Sequence, residues 1–147
     1  DLREDPYETN NLASSPEHAD LLRSLLGAAY MAVDNNDQAV YFFRKSLQGT
    51  STSQKSKARS YWGLAKIFNE EKKWDKSLAE AVNGFILVNS PVYTPQCMLL
   101  AVKASVKLKK HDEALTTWRE LKKRFPAYAQ QHKDDTAIKK LLSSEKQ

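Results

Sequence analysis

Leu26-Gly27-Ala28-Ala29-Tyr30, followed by Ala39 and then Phe43, is the stretch whose reading decides the fold. A small residue set among large ones lets two helices approach, and a neighbouring aromatic fills the gap beside it. The arrangement returns twice, around Ala65 and around Val102. Aligning Ala39 with Ser77 and Ala114 gives periods of 38 and 37 residues. Repeats of that length predict stacked helical hairpins, none of which buries its apolar face alone.

Working outward, Ser15-Pro16-Glu17 reads as a helix start, with Ser15 as cap and Pro16 at the first helical position. Leu21, Leu22, Leu25, Leu26, Ala29 and Val33 then recur at spacings of three and four, an amphipathic helix. The polar turn Asp34-Asn35-Asn36-Asp37 leads to a second helix carrying Ala39, Val40, Phe43 and Leu47. The next copy runs through Tyr61, Leu64, Ala65 and Phe68, turns over residues 69–73, and returns through Trp74, Leu78, Ala81, Phe85 and Val88. A third passes Met98, Ala101, Val102 and Val106, turns at Lys109-Lys110, and returns through Ala114, Leu115, Trp118, Leu121 and Phe125. Residues 127–143, with Ala137, Ile138, Leu141 and Leu142, predict one capping helix over the apolar edge of the last repeat. The aromatics Tyr30, Phe43, Phe68, Trp74 and Trp118 are expected in the core.

This pattern resembles the tetratricopeptide repeat, whose basic unit is 34 residues. The extra residues fall in the loops 49–57 and 89–94. Leu26, Gly27, Tyr30, Ala39 and Phe43 occupy the family's spaced positions; Ser77, Ala81 and Val102 depart from them. The resemblance implies an all-α, right-handed helical-hairpin solenoid of about three repeats plus a cap, spanning residues 17–143. Residues 1–16 form a separate arm. There Asp1-Leu2-x-x-Asp5-Pro6-x-Glu8-x-x-Asn11-Leu12-Ala13 resembles the extreme C-terminal segment of the sulfatase family. That likeness implies an arm or linker left from a sulfatase-like hydrolase cut away upstream, ordered as coil at best. It also implies an exported or periplasmic setting. The sulfatase nucleophile motif C/S-x-P-x-R is absent from these residues, so no sulfate-ester hydrolysis is expected of them.

Other chemistry is sparse. His18, His111 and His132 lie on separate segments without a ligand at zinc-motif spacing, and Cys97 is the sole cysteine. Neither a catalytic set nor a metal or cofactor site is expected, and glycine-rich phosphate loops are missing. No run approaches 18 apolar residues, so no membrane insertion is expected. Charge is uneven: residues 101–147 hold 12 Lys and Arg against 6 Asp and Glu, whereas residues 1–100 hold 11 against 12. A basic end can attract polyanions. Nucleic acid is nevertheless not the expected partner, because no aromatics interleave with these lysines as stacking platforms.

Binding surface remains. In the tetratricopeptide family the first helix of each hairpin lines the concave face, and carrying its positions over gives a candidate groove. The second repeat supplies Arg59, Trp62, Lys66 and Asn69; the third supplies Leu99, Lys103 and Lys107. Ser24 and Ala28 stand where the family's carboxylate-clamp members have Lys and Asn, so that activity is not implied. Trp62 follows Tyr61, and adjacent residues cannot share one helix face. Trp62 therefore points to the groove or to the next repeat. The expected ligand is a peptide or protein, with acidic character favoured by the lysines; an anionic sulfated substrate of a parent sulfatase is the alternative.

Overall fold

The computed structural model describes residues 15–50 and 53–145, so most of the arm expected over 1–16 lies outside the described residues. These residues form eight helices and no strand. They are α1 (Pro16–Ala32), α2 (Asn36–Gln48), α3 (Gln54–Glu70), α4 (Trp74–Ile86), α5 (Thr94–Lys107), α6 (His111–Arg124), α7 (Pro126–His132) and α8 (Thr136–Glu145). The chain is all-α, and its first six helices pair as α1/α2, α3/α4 and α5/α6. First helices also touch across pairs, α1 on α3 and α3 on α5.

The three pairs turn in one way. Asp34, Lys72 and Lys109 have φ of 59°, 60° and 61°, the left-handed conformation that ends many helices. After each, the next residue donates its N–H back five positions: Asn35 to the Tyr30 carbonyl (2.9 Å), Lys73 to Phe68 (2.8 Å) and Lys110 to Ser105 (2.9 Å). The left-handed residue itself bonds three positions back, to Met31, Asn69 and Val106. This is the Schellman closure, and it recurs at the same 38- and 37-residue intervals as the apolar pattern. Side-chain caps differ. Asn35 accepts the Gln38 N–H at 3.3 Å and Ser53 the Ser56 N–H at 3.3 Å. Ser15 makes no side-chain cap; Pro16 at the helix start already removes one N–H that a cap would serve.

Three apolar clusters lie along the chain. In the first, Phe43 is fully buried with Ala39, Leu64, Ile67 and Phe68. Its ring is flanked by Gly27 of α1 and Gly63 of α3: a Cβ on Gly27 would come within 2.6 Å of the ring, and one on Gly63 would collide with it outright. The second is an alanine contact, Ala65 with Ala81 and Ala101, which brings α3, α4 and α5 close. Ser77 departs from the repeat pattern without cost, because its buried hydroxyl donates to the Ala65 carbonyl at 2.8 Å. In the third, Val102 is fully buried with Met98, Ala114, Trp118 and Leu121, so the larger residue is accommodated.

Two expectations need correction. The segment 127–143 forms two helices, because Asp135 opens a new one by accepting the Ala137 N–H at 3.0 Å. α8 then folds onto α5 and α6, adding Ile138 and Leu141 to the third cluster. Trp74, expected in the core, is only half-buried: as the first residue of α4 it has left the interhelical contact and lies beside the charged turn Lys72-Lys73.

Candidate functional site

Along one face of α3, Trp62, Lys66 and Asn69 follow at spacings of four and three, so they form a stripe. Trp62 is half-buried, with its ring centroid 5.2 Å from that of Tyr93 and the Lys66 ammonium 5.4 Å from the indole. Tyr93 comes from the connection between α4 and α5, which is tied down locally. Ser90 Oγ accepts the Tyr93 N–H at 3.2 Å, and Thr94 Oγ1 accepts the Ser90 N–H at 2.8 Å.

Arg59, one turn before Trp62, does not present itself to a ligand. It is 7% exposed, and its Nε donates to Tyr93 Oη at 3.0 Å while a terminal nitrogen donates to Ser24 Oγ at 3.0 Å. It ties α1, α3 and the α4–α5 connection together. Leu99 is likewise spent, at 5% exposure within the third cluster. Both positions were expected on the groove; the packing of the next element covers them.

Three of the remaining groove residues converge. Asn69, Lys103 and Lys107 line a cavity of about 360 Å³ together with Trp74, Asp135 and Lys140. The helices explain the meeting. α3 ends beside the start of α4, which brings Asn69 next to Trp74, while Lys103 and Lys107 sit one turn apart on α5. The fold-back of α8 supplies Asp135 and Lys140. Lys107 holds its ammonium 5.7 Å from the Trp74 ring centre, an ordinary cation–π distance. The Lys103 ammonium is 3.1 Å from Asp135 Oδ2. The amide nitrogen of Asn69 is buried without a hydrogen-bond partner.

Trp62 and Lys66 do not line this cavity; they stand further towards the start of α3, on the same stripe. Trp74, Lys140 and Asp135 were missed as site residues. A tryptophan between Lys73 and Asp75 was a usable signal, since charged neighbours on both sides suit a surface position. Asp135 and Lys140 gave none, because their role depends on where α8 docks.

The cavity carries three ammonium groups, one carboxylate and an aromatic face. It suits binding of an anionic, partly apolar chain. Burial pushes the Cys97 thiol up to about 12, so it stays protonated and is a poor nucleophile. Among the described residues no grouping of His, Cys, Asp and Glu could hold a metal ion. No described helix is long and apolar enough to cross a membrane. Comparison with protein-family models, curated proteins and solved structures finds no match to the chain.

Proposed function

We propose that the chain is a protein-interaction module that holds a segment of a partner protein in the groove along α3, α5 and α8. The observation that carries this reading is the meeting of Asn69, Lys103 and Lys107 with Trp74 around one cavity. A half-buried indole bordered by cations is the kind of anchor that dominates peptide affinity, because it offers large area at little entropic cost. Trp62 and Lys66 extend the same stripe and give the partner segment a second foothold.

The module is, in this reading, a right-handed solenoid of three tetratricopeptide-like hairpins closed by α7 and α8. Support comes from three identical turns at the sequence period, and from first helices that touch one another across pairs. The Asp1–Ala13 pattern supports a position at the C-terminal end of a sulfatase-like exported hydrolase, with the module directing that enzyme to its partner. The chain itself then acts by binding and performs no chemistry.

Affinity capture from a cell extract tests this, comparing wild type with Lys107→Glu, which reverses an exposed charge on the cavity wall. The expected result is one protein retained by wild type and lost by the variant. Equal retention by both, or no retention alongside salt-labile binding of a sulfated oligosaccharide, overturns the reading in favour of substrate binding for the parent enzyme.

A further inference from the structure

Asp135 does two things at once. Its Oδ1 accepts the Ala137 N–H and caps α8, while its Oδ2 faces the Lys103 ammonium across 3.1 Å. It is the one carboxylate on a cavity wall that also carries Lys107 and Lys140. Among the described residues neither of those lysines is within ion-pair distance of a carboxylate, and the amide nitrogen of Asn69 adds an unpartnered donor. The Lys103–Asp135 pair is partly open to solvent, with side chains 34% and 24% exposed. Pairs of that kind are weak and exchange partners readily.

Resting on the interaction-module reading, we propose that Asp135 is a resident stand-in for the partner's own carboxylate. The ligand is an acidic peptide segment. One of its side-chain carboxylates takes Lys103 from Asp135, and further ones pair with Lys107 and Lys140. Asp135 keeps its bond to the Ala137 N–H throughout, so α8 stays capped as Lys103 changes partner. The arrangement grades affinity by the number of carboxylates: a segment with one gains a single cation that Asp135 does not reach. Only a segment with several gains Lys107 and Lys140 and also takes Lys103 from Asp135. A carboxylate inside the cavity also interrupts the run of positive charge that a polysulfated chain would follow.

Fluorescence anisotropy with a labelled hexaglutamate peptide at low salt tests this on wild type, Asp135→Asn and Asp134→Asn. Asparagine is as good a helix cap as aspartate, so Asp135→Asn removes the competing charge and keeps α8. Asp134→Asn makes the same change in net charge one residue away, at an exposed position. The expected result is binding by wild type, about two- to fivefold tighter binding by Asp135→Asn, and a smaller change for Asp134→Asn. Thermal melts establish that the variants fold; if Asp135→Asn melts early, Asp135→Ser, also a good cap, takes its place. Equal gains from the two Asn variants, or none from Asp135→Asn, overturn the role of Asp135 and leave the module standing. Failure of wild type to bind hexaglutamate, while capture of a partner still requires Lys107, overturns the acidic ligand alone. Failure of both experiments removes the module reading with it.

Discussion

Cys97 lies fully buried on α5 against Gly84, and burial pushes its thiol up to about 12 from an ordinary value of 9.0. Below pH 9 the folded and unfolded chains both keep this proton, and the group leaves stability unchanged. Between pH 9 and 12 the unfolded chain releases it while the native state retains it, so stability falls as pH rises. The slope from this one group approaches about 1.4 kcal/mol per pH unit. Tyr61 and Tyr128, both raised first by burial, act in the same sense at higher pH. Urea titrations at stepped pH should show Cys97→Ala losing stability less steeply than wild type above pH 9; parallel profiles would overturn this. Sequence alone places Cys97 on a helix but not under Gly84, and Arg59 teaches the same lesson more sharply. Its register is that of a groove residue, yet Ser24 and Tyr93, 35 and 34 residues away, draw it inward. Helical spacing gives the face a residue stands on. It does not give what covers that face.

At the scale of elements the pairing of helices was legible, because a small residue beside an aromatic has one cheap solution: close helix contact. Gly27 and Phe43 carried that signal. Gly63 did not, although it is the other half of the contact and holds the Phe43 ring from the α3 side. Glycine inside a helix is disfavoured by about 1 kcal/mol relative to alanine, so Gly63→Ala would stabilise an isolated α3. In the folded chain the added methyl meets a ring that cannot retreat, since Gly27 already lets it approach α1 to within contact. Overpacking of this kind costs about 1–3 kcal/mol, enough to cancel the helix gain and usually exceed it. Chemical denaturation should therefore show Gly63→Ala less stable than wild type. Adding Phe43→Leu, which shortens the side chain at the same contact, should make the double variant more stable than the two single effects summed. A stabilised Gly63→Ala would mean that the ring has room to move. The break between α7 and α8 was illegible for a related reason: Asp135 reads as a surface charge until its bond to the Ala137 N–H is known.

For the whole molecule, the clusters follow one another along the chain, and the first shares no buried residue with the third. α8 is docked only at the far end, where it completes the third cluster and one wall of the cavity. Ile138 and Leu141, both fully buried, account for about 3–6 kcal/mol of burial between them. In a compact globule, removing that much would lower the stability of every helix together. In a solenoid each hairpin answers mainly to its neighbours, so the loss stays local. Truncation after Lys133 separates the two cases when read by amide hydrogen exchange. Protection should fall across α5 and α6, whose apolar faces lose their cover, while amides of α1, α2 and the first half of α3 keep most of theirs. The same truncation should abolish hexaglutamate binding, because Lys140 leaves with α8 and the cavity loses one wall, which outweighs the removal of the competing Asp135. A uniform drop in protection across all the helices would instead identify a single cooperative core and remove the structural basis for the solenoid.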